Sequence, residues 1–202
     1  MFQFPFPVKD ANASQGDKNL GNLPEWDLND LYTAPDAPEL GDDLSWLEKE
    51  CAAFATDYEG KLGTLNAEDM LLCVTRNEKI STIAGRIMSY AGLRYYQMTT
   101  DGERTKFLSD CQEKITNFTT PLVFFSLELN RLEDDHIEGL LSQNGELGRY
   151  RRVFERMRAM KPHQLSDELE KFIHDLGAVG DAWEKLFDET IAGLSFVVEG
   201  EE

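Results

Sequence analysis

Histidine is scarce in this 202-residue sequence: there are three, His136, His163 and His174, and no two stand within a helical turn of each other. Two histidines four apart on a helix, with an acid beside the first, aim both rings at one metal ion and let the acid activate its water. That spacing does not occur. Cysteine is equally sparse. Cys51, Cys73 and Cys111 are odd in number, far apart and set within apolar helical patterns, which excludes a disulfide framework and suits small buried side chains in a reducing compartment. Basic residues number 20 against 38 acidic ones, a net charge of -18, and such a surface repels a nucleic-acid backbone and an anionic membrane. No apolar run approaches the roughly 20 residues of a membrane span. Met1 to Val8 lack the basic start and continuous apolar stretch of a signal peptide, so the expected location is the cytoplasm. Asn12 and Asn117 begin glycosylation-type triplets that carry no meaning without a secretory route. No fixed-period repeat, glycine-rich phosphate loop or serine in a strand-turn-helix elbow is present.

The composition, 41% hydrophobic and 29% charged, is that of an ordinary globular protein. Residues 1–22 are polar and small beyond the Phe- and Pro-rich start, and are expected to form a flexible leader. From Leu23 to Pro38 three prolines punctuate Trp26, Leu28, Leu31 and Tyr32, an irregular arm pinned by aromatic side chains.

Helical periodicity then dominates. Leu44, Leu47, Cys51, Phe54 and Tyr58 step by three and four, with Asp42 or Asp43 as the expected cap and Gly60 and Gly63 as the stop. Asn66 is positioned to cap a long helix reaching about Met98, with Met70, Val74, Ile80, Ile83, Ala84, Ile87, Ala91 and Tyr95 as its buried stripe; at 1.5 Å per residue it measures roughly 45 Å. Its small residues, among them Ser81, Gly85, Ser89 and Gly92, permit close approach of another helix. Thr100 with Glu103 reads as a capping box, followed by the three-four series Leu108, Cys111, Ile115, Phe118, Leu122, Phe125, Leu129 and Leu132. Pro121 predicts either a kink or a restart capped by Thr120. Shorter helices are expected from Asp135 to about Leu141, Glu146 to about Met160, Ser166 to about Leu176 and Asp181 to about Leu194, the last three separated by Pro162, Gly177 and Gly180. Ser195 to Glu199 is the one strand-like run. Its backbone groups need a partner, for which the next segment of a longer protein is the natural candidate. The expected fold is all-α, a multi-helix bundle of long antiparallel helices with a short C-terminal strand.

No side-chain constellation predicts catalysis, and no catalytic, cofactor-binding or metal-ligating residue is assigned. His163 with Glu168, or His174 with Asp175, are the nearest approaches to a metal pair and read as capping or surface histidines. Buried thiols are inert, because an apolar setting raises their pKa. Asp134 with Asp135, Glu168 with Glu170 and Glu201 with Glu202 suit helix starts and solvated faces.

Four stretches carry a family resemblance. The first is Leu23, Pro24, Glu25, Trp26, Asp27, Leu28, Asn29, Asp30, Leu31, Tyr32. The second runs Arg86, Ile87, Met88, Ser89, Tyr90, Ala91, then Leu93, Arg94, Tyr95 and Thr100, Asp101. The third is Phe124 through Asn130. The fourth extends from Lys161, Pro162, His163 through Trp183, Leu186, Phe187, Asp188, Glu189, Thr190 to Phe196. In this order and spacing they resemble the N-terminal region of oligoendopeptidase F-type zinc metallopeptidases, relatives of thimet oligopeptidase, over about nine-tenths of the chain. Each motif is also explicable as structure; Trp183 and Phe187 read as a core pair one helical turn apart.

The resemblance implies helices from both halves of a longer chain enclosing a deep channel, with zinc held in the C-terminal half by His-Glu-x-x-His and a later glutamate. None of those positions exists in this sequence. It further implies short, unstructured peptides as substrates of the complete enzyme, a zinc-bearing C-terminal half as partner, and for these residues one wall of the channel without activity of their own. Apolar surface normally covered by that half favours self-association. The alternative is a stand-alone helical interaction module derived from the peptidase shape.

Overall fold

A computed structural model describes residues 25–194. Eight α-helices and no strand are found among them: α1 Pro38–Tyr58, α2 Ala67–Gln97, α3 Gly102–Thr119, α4 Val123–Arg131, α5 Asp134–Gln143, α6 Gly145–Gly148, α7 Arg151–Arg158 and α8 Asp167–Ala192. The chain is all-α. Both the leader at 1–22 and the strand expected at 195–199 lie outside the described residues.

The long helices α1, α2 and α3 pack on one another across short connections, which forces neighbours to run antiparallel. Their facing stripes follow the three-four spacing. Leu47, Cys51 and Phe54 of α1 meet Met70, Cys73, Val74, Ile80, Ala84, Ile87, Ala91 and Tyr95 of α2, with Leu108 and Cys111 of α3 and Phe124, Phe125 and Leu129 of α4 closing the core. Ile83, expected on the buried stripe, is half-buried at its edge. A smaller layer of Ile137, Leu140, Leu141, Leu147 and Phe154 continues it through α5, α6 and α7. Burial pushes the thiols of Cys51 and Cys111 up to about 11 and that of Cys73 to about 12, as expected for sulfhydryls without water.

The caps of α1 and α3 differ from expectation. Helix α1 begins at Pro38, four residues before Asp42, because a proline in the first turn has no N–H to leave unpaired and its φ is already helical. Asp43 is left to accept the Tyr32 hydroxyl at 2.6 Å. For α3 the cap is Asp101, whose Oδ1 accepts the backbone N–H of Glu103 at 2.9 Å and of Arg104 at 3.3 Å, so Thr100 makes no capping box. Asn66 caps α2 as anticipated, accepting from Glu68 and Asp69, both at 2.9 Å.

Around Pro121 the chain tightens into a single 3-10 turn, Thr120–Leu122, and resumes as α4. Thr120 does not cap it; the hydroxyl donates back to the Thr116 carbonyl at 2.8 Å. The helix expected from Glu146 to Met160 is two, α6 and α7, with Asn144 capping the first through Glu146 N–H at 3.0 Å. The largest correction concerns Gly177 and Gly180. Both lie inside α8, which runs unbroken where two helices were expected. A helical glycine costs only about 1 kcal/mol relative to alanine, and the apolar positions keep their three-four register through both.

The N-terminal arm is pinned as its aromatic content suggests, by contacts that explain two of the resemblance stretches. Tyr32 is buried and meets the Tyr90 ring edge-on with centroids 5.4 Å apart. Arg86 lies 4.2 Å over the Tyr32 ring, donates from Nε to the Leu31 carbonyl at 3.0 Å and reaches Asp43 at 3.3 Å. Trp26, by contrast, is exposed.

Candidate functional site

Helix α8 is amphipathic, and the side it turns toward the bundle is the polar one. Residues at 100° intervals place Asp167, Glu170, Lys171, His174, Asp181, Lys185, Asp188 and Glu189 around one face of the helix. From that face Lys185 donates to Ser109 Oγ at 2.7 Å and approaches Gln112 Oε1 at 3.4 Å. Asp181 accepts from Gln112 at 3.1 Å, and Glu189 from the Thr105 hydroxyl at 3.5 Å. Asp167 pairs with Arg131, and Lys171 lies 3.9 Å from Glu59. The reason is the receiving surface: Thr105, Ser109, Gln112 and the hydroxyls of Thr119 and Thr120 form the outer side of α3 and the following turn. The Gln112 amide and the free lone pairs of these hydroxyls are matched by polar groups and not by methyl groups.

The opposite face carries Leu169, Phe172, Ile173, Leu176, Val179, Trp183, Leu186, Phe187 and Ile191, all exposed. Trp183 is 70% exposed and Phe187 65%. They are not the core pair that their spacing suggests. A helical turn brings two side chains together but leaves open which way the helix is rolled. Ten large apolar residues at about half exposure, Leu194 included, amount to a surface on the order of 1,000 Å², above the few hundred that soluble monomers usually show. Tyr96 at the end of α2 borders Trp183 and Phe187 across a shallow cleft that Glu184 and Asp188 also line. Trp26 and Met98, with Tyr96, Gln97 and Arg104, line a second cleft beside it.

The residues weighed for metal chemistry are dispersed or occupied otherwise. His136 and His163 are exposed, as is Glu168. His174 is half-buried under the 3-10 turn, with Nε2 3.3 Å from Thr119 Oγ1 and Nδ1 3.3 Å from Thr120 Oγ1. Asp175 stands 3.5 Å from Nδ1, with Oδ1 2.8 Å from Thr120 Oγ1. No grouping of three or more His, Cys, Asp or Glu among the described residues could hold a metal ion. Zinc therefore finds no fitting donor set among the described residues. Of the paired acids, Asp134 binds the Arg158 guanidinium, which holds its carboxyl below the ordinary range. Glu170 accepts the Leu165 N–H at 2.8 Å. Both are structural.

The sequence gives no signal for the contacts of three charged side chains that hold the motifs in place: Arg86 and Glu128, which lie within resemblance stretches, and Arg158. Arg158 donates to the Leu129 carbonyl at 2.6 Å and the Leu132 carbonyl at 2.8 Å, closing the C-terminal end of α4. A basic residue meeting carbonyls 26 to 29 positions away leaves no local signal.

Comparisons agree on one family. The family model described as Oligopeptidase F matches residues 128–196. The chromosomal oligoendopeptidase F of Lactococcus lactis subsp. cremoris is 29% identical over 154 residues, covering 74% of this chain and 25% of that protein. Group B oligopeptidase PepB of Streptococcus agalactiae is 27% identical over 167 residues, covering 80% of this chain and 27% of its own length. In fold, the chain is similar to the crystal structure of oligoendopeptidase-F from Enterococcus faecium, with a TM-score of 0.69, 22% identity, and coverage of 80% of this chain and 32% of that one. The chain thus spans about a quarter of the length of the curated relatives it matches. These matches support its likeness to an N-terminal region of the oligoendopeptidase F family.

Proposed function

We propose that this chain is the helical N-terminal part, one domain from Leu23 onward, of a cytoplasmic zinc-dependent oligoendopeptidase that hydrolyses short peptides. In that role it forms a wall of the substrate channel and is inactive until joined to the zinc-bearing C-terminal half. The observation that carries this reading is the outward apolar face of α8, which lies within the segment matched by the family model. A helix that hydrogen-bonds its own bundle with its polar side and shows Trp183 and Phe187 to water is built to be covered. Relatives about four times as long supply what could cover it.

The test is hydrolysis of a quenched fluorescent octapeptide. The chain alone, with zinc added, should cleave nothing. A fusion to the remainder of the Lactococcus lactis chromosomal oligoendopeptidase F should restore zinc-dependent cleavage. Zinc-dependent hydrolysis by the isolated chain overturns the proposal, as does a folded fusion that lacks activity. A stand-alone interaction module has one observation in its favour: the core closes without any buried residue of α8 among those described. A stop codon directly after residue 202, with no peptidase partner encoded, would favour it.

A further inference from the structure

The apolar face of α8 has an edge of one sign. On one side stand Glu168 and Asp175, on the other Glu184, all three exposed. By their angular positions Glu168 and Glu184 sit directly beside the stripe, next to Leu186 and Ile191 respectively. The helix has two lysines, and neither lies at this edge. Lys171 reaches Glu59, while Lys185 is held by Ser109 and Gln112. Where Trp183 and Phe187 meet Tyr96, the charged residues lining the cleft are again acidic, Glu184 and Asp188.

From this arrangement we infer that the α8 face takes a surface whose apolar centre is edged with lysine and arginine, carried by the polypeptide that completes the enzyme, and that a second copy of this chain does not fill it. The inference rests on the peptidase reading for the identity of that polypeptide and on the α8 rim for its chemistry. Two copies paired through α8 would bring their acidic rims together, on chains that each carry -18, and like charges at an interface oppose association. A basic rim gains from the same acids. Partial desolvation at the border of an apolar contact strengthens each such pair relative to one in open water.

The probes are two synthetic 24-residue helical peptides that share one leucine stripe and differ at its flanks, lysine and arginine in one, glutamate in the other. Binding to the full 202-residue chain is followed by Trp fluorescence and calorimetry, with sedimentation of the chain alone in parallel. The basic-edged peptide should bind at least tenfold more tightly at low salt, and Trp183→Lys should abolish binding. In the triple variant Glu168→Lys, Asp175→Lys, Glu184→Lys the preference should reverse, although the chain remains acidic overall. Equal binding of both peptides, or a preference that survives the triple substitution, overturns the inference, since attraction would then come from net charge and not from the rim. So does a dimer of the chain that Trp183→Lys dissolves. These failures leave the peptidase reading intact, because that is scored by hydrolysis in the fusion.

Discussion

Glu128 and Gly60 are joined across 68 positions: Oε1 of the carboxylate accepts the Gly60 N–H at 2.6 Å, and Oε2 accepts that of Leu62 at 3.4 Å. The turn after α1 is thus fastened to α4 by a charge-assisted bond to two backbone donors. Gly60 has φ of 77°, the left-handed region, so the turn needs glycine for its backbone and glutamate for its N–H groups. Glu128→Ala should lower stability by about 1–3 kcal/mol by leaving these donors unpaired. Gly60→Ala should cost about 1–2 kcal/mol through backbone strain alone, since no atom lies within 4 Å of an added Cβ. Urea denaturation of both variants checks the two values.

Arg86 acts as a plane and a fork. It stacks on Tyr32 while donating to Leu31 and pairing with Asp43. Lysine offers neither the flat face nor the paired donors. Arg86→Lys should therefore release the arm without unfolding the bundle. Amide hydrogen exchange should accelerate at residues 28–32 and stay unchanged in α2.

The core and the α8 face should respond in opposite ways to loss of an aromatic ring. Phe54 is fully buried against Tyr58, Phe124 and Phe125, and Phe54→Ala should cost about 3–5 kcal/mol. Phe187→Ala, although it removes the same ring, should stay within about 0.5 kcal/mol in the isolated chain. Thermal melts separate the two. A large loss at Phe187 would mean that its face is already covered.

Gly177 and Gly180 have helical backbone and open space where a methyl group would project. Replacing both with alanine should raise stability by roughly 1 kcal/mol each, seen as greater helicity and a higher midpoint for α8.

The thiols make stability fall at high pH. An unfolded cysteine ionises near about 8.5, whereas burial moves the folded thiols to about 11 or 12. Below about pH 8.5 both states keep the proton and the folded state holds its full advantage. As pH rises from there toward about 11 the unfolded chain releases protons that the folded chain retains, so stability declines. Denaturant midpoints measured from about pH 8 to about 10.5 should drop, and a Cys73→Ala variant should drop less. Near neutral pH the native protein should not react with a thiol reagent until denaturant is added.

The helical stripes were legible in the sequence because burial follows a 3.6-residue period wherever a helix lies on a core: Leu47, Cys51 and Phe54 of α1 and Met70, Ile80, Ile87 and Tyr95 of α2 are inside as their spacing requires. Asn66 was legible as a cap because its acceptor serves N–H groups two and three residues on. Pro38 and Asp101 were not, since several nearby residues satisfy the same local rule and packing selects among them. Gly177 and Gly180 misled for a related reason: glycine lowers helical preference, yet the apolar register through them is a property of the whole helix.

The family resemblance was written in four short motifs, and for three of them the structure supplies the cause: Arg86 of the second with Tyr32 of the first, and Glu128 of the third with Gly60. What the sequence by itself determined is an all-α chain with its core stripes, its buried thiols and its strong negative charge, since each depends on residue type and local spacing. The tertiary structure alone decided which way α8 is rolled. Amphipathic spacing defines two faces but not which one meets the bundle. That choice fell to the polar outer side of α3, where Gln112 pairs with Asp181 and Ser109 with Lys185, contacts that the apolar side of α8 cannot make.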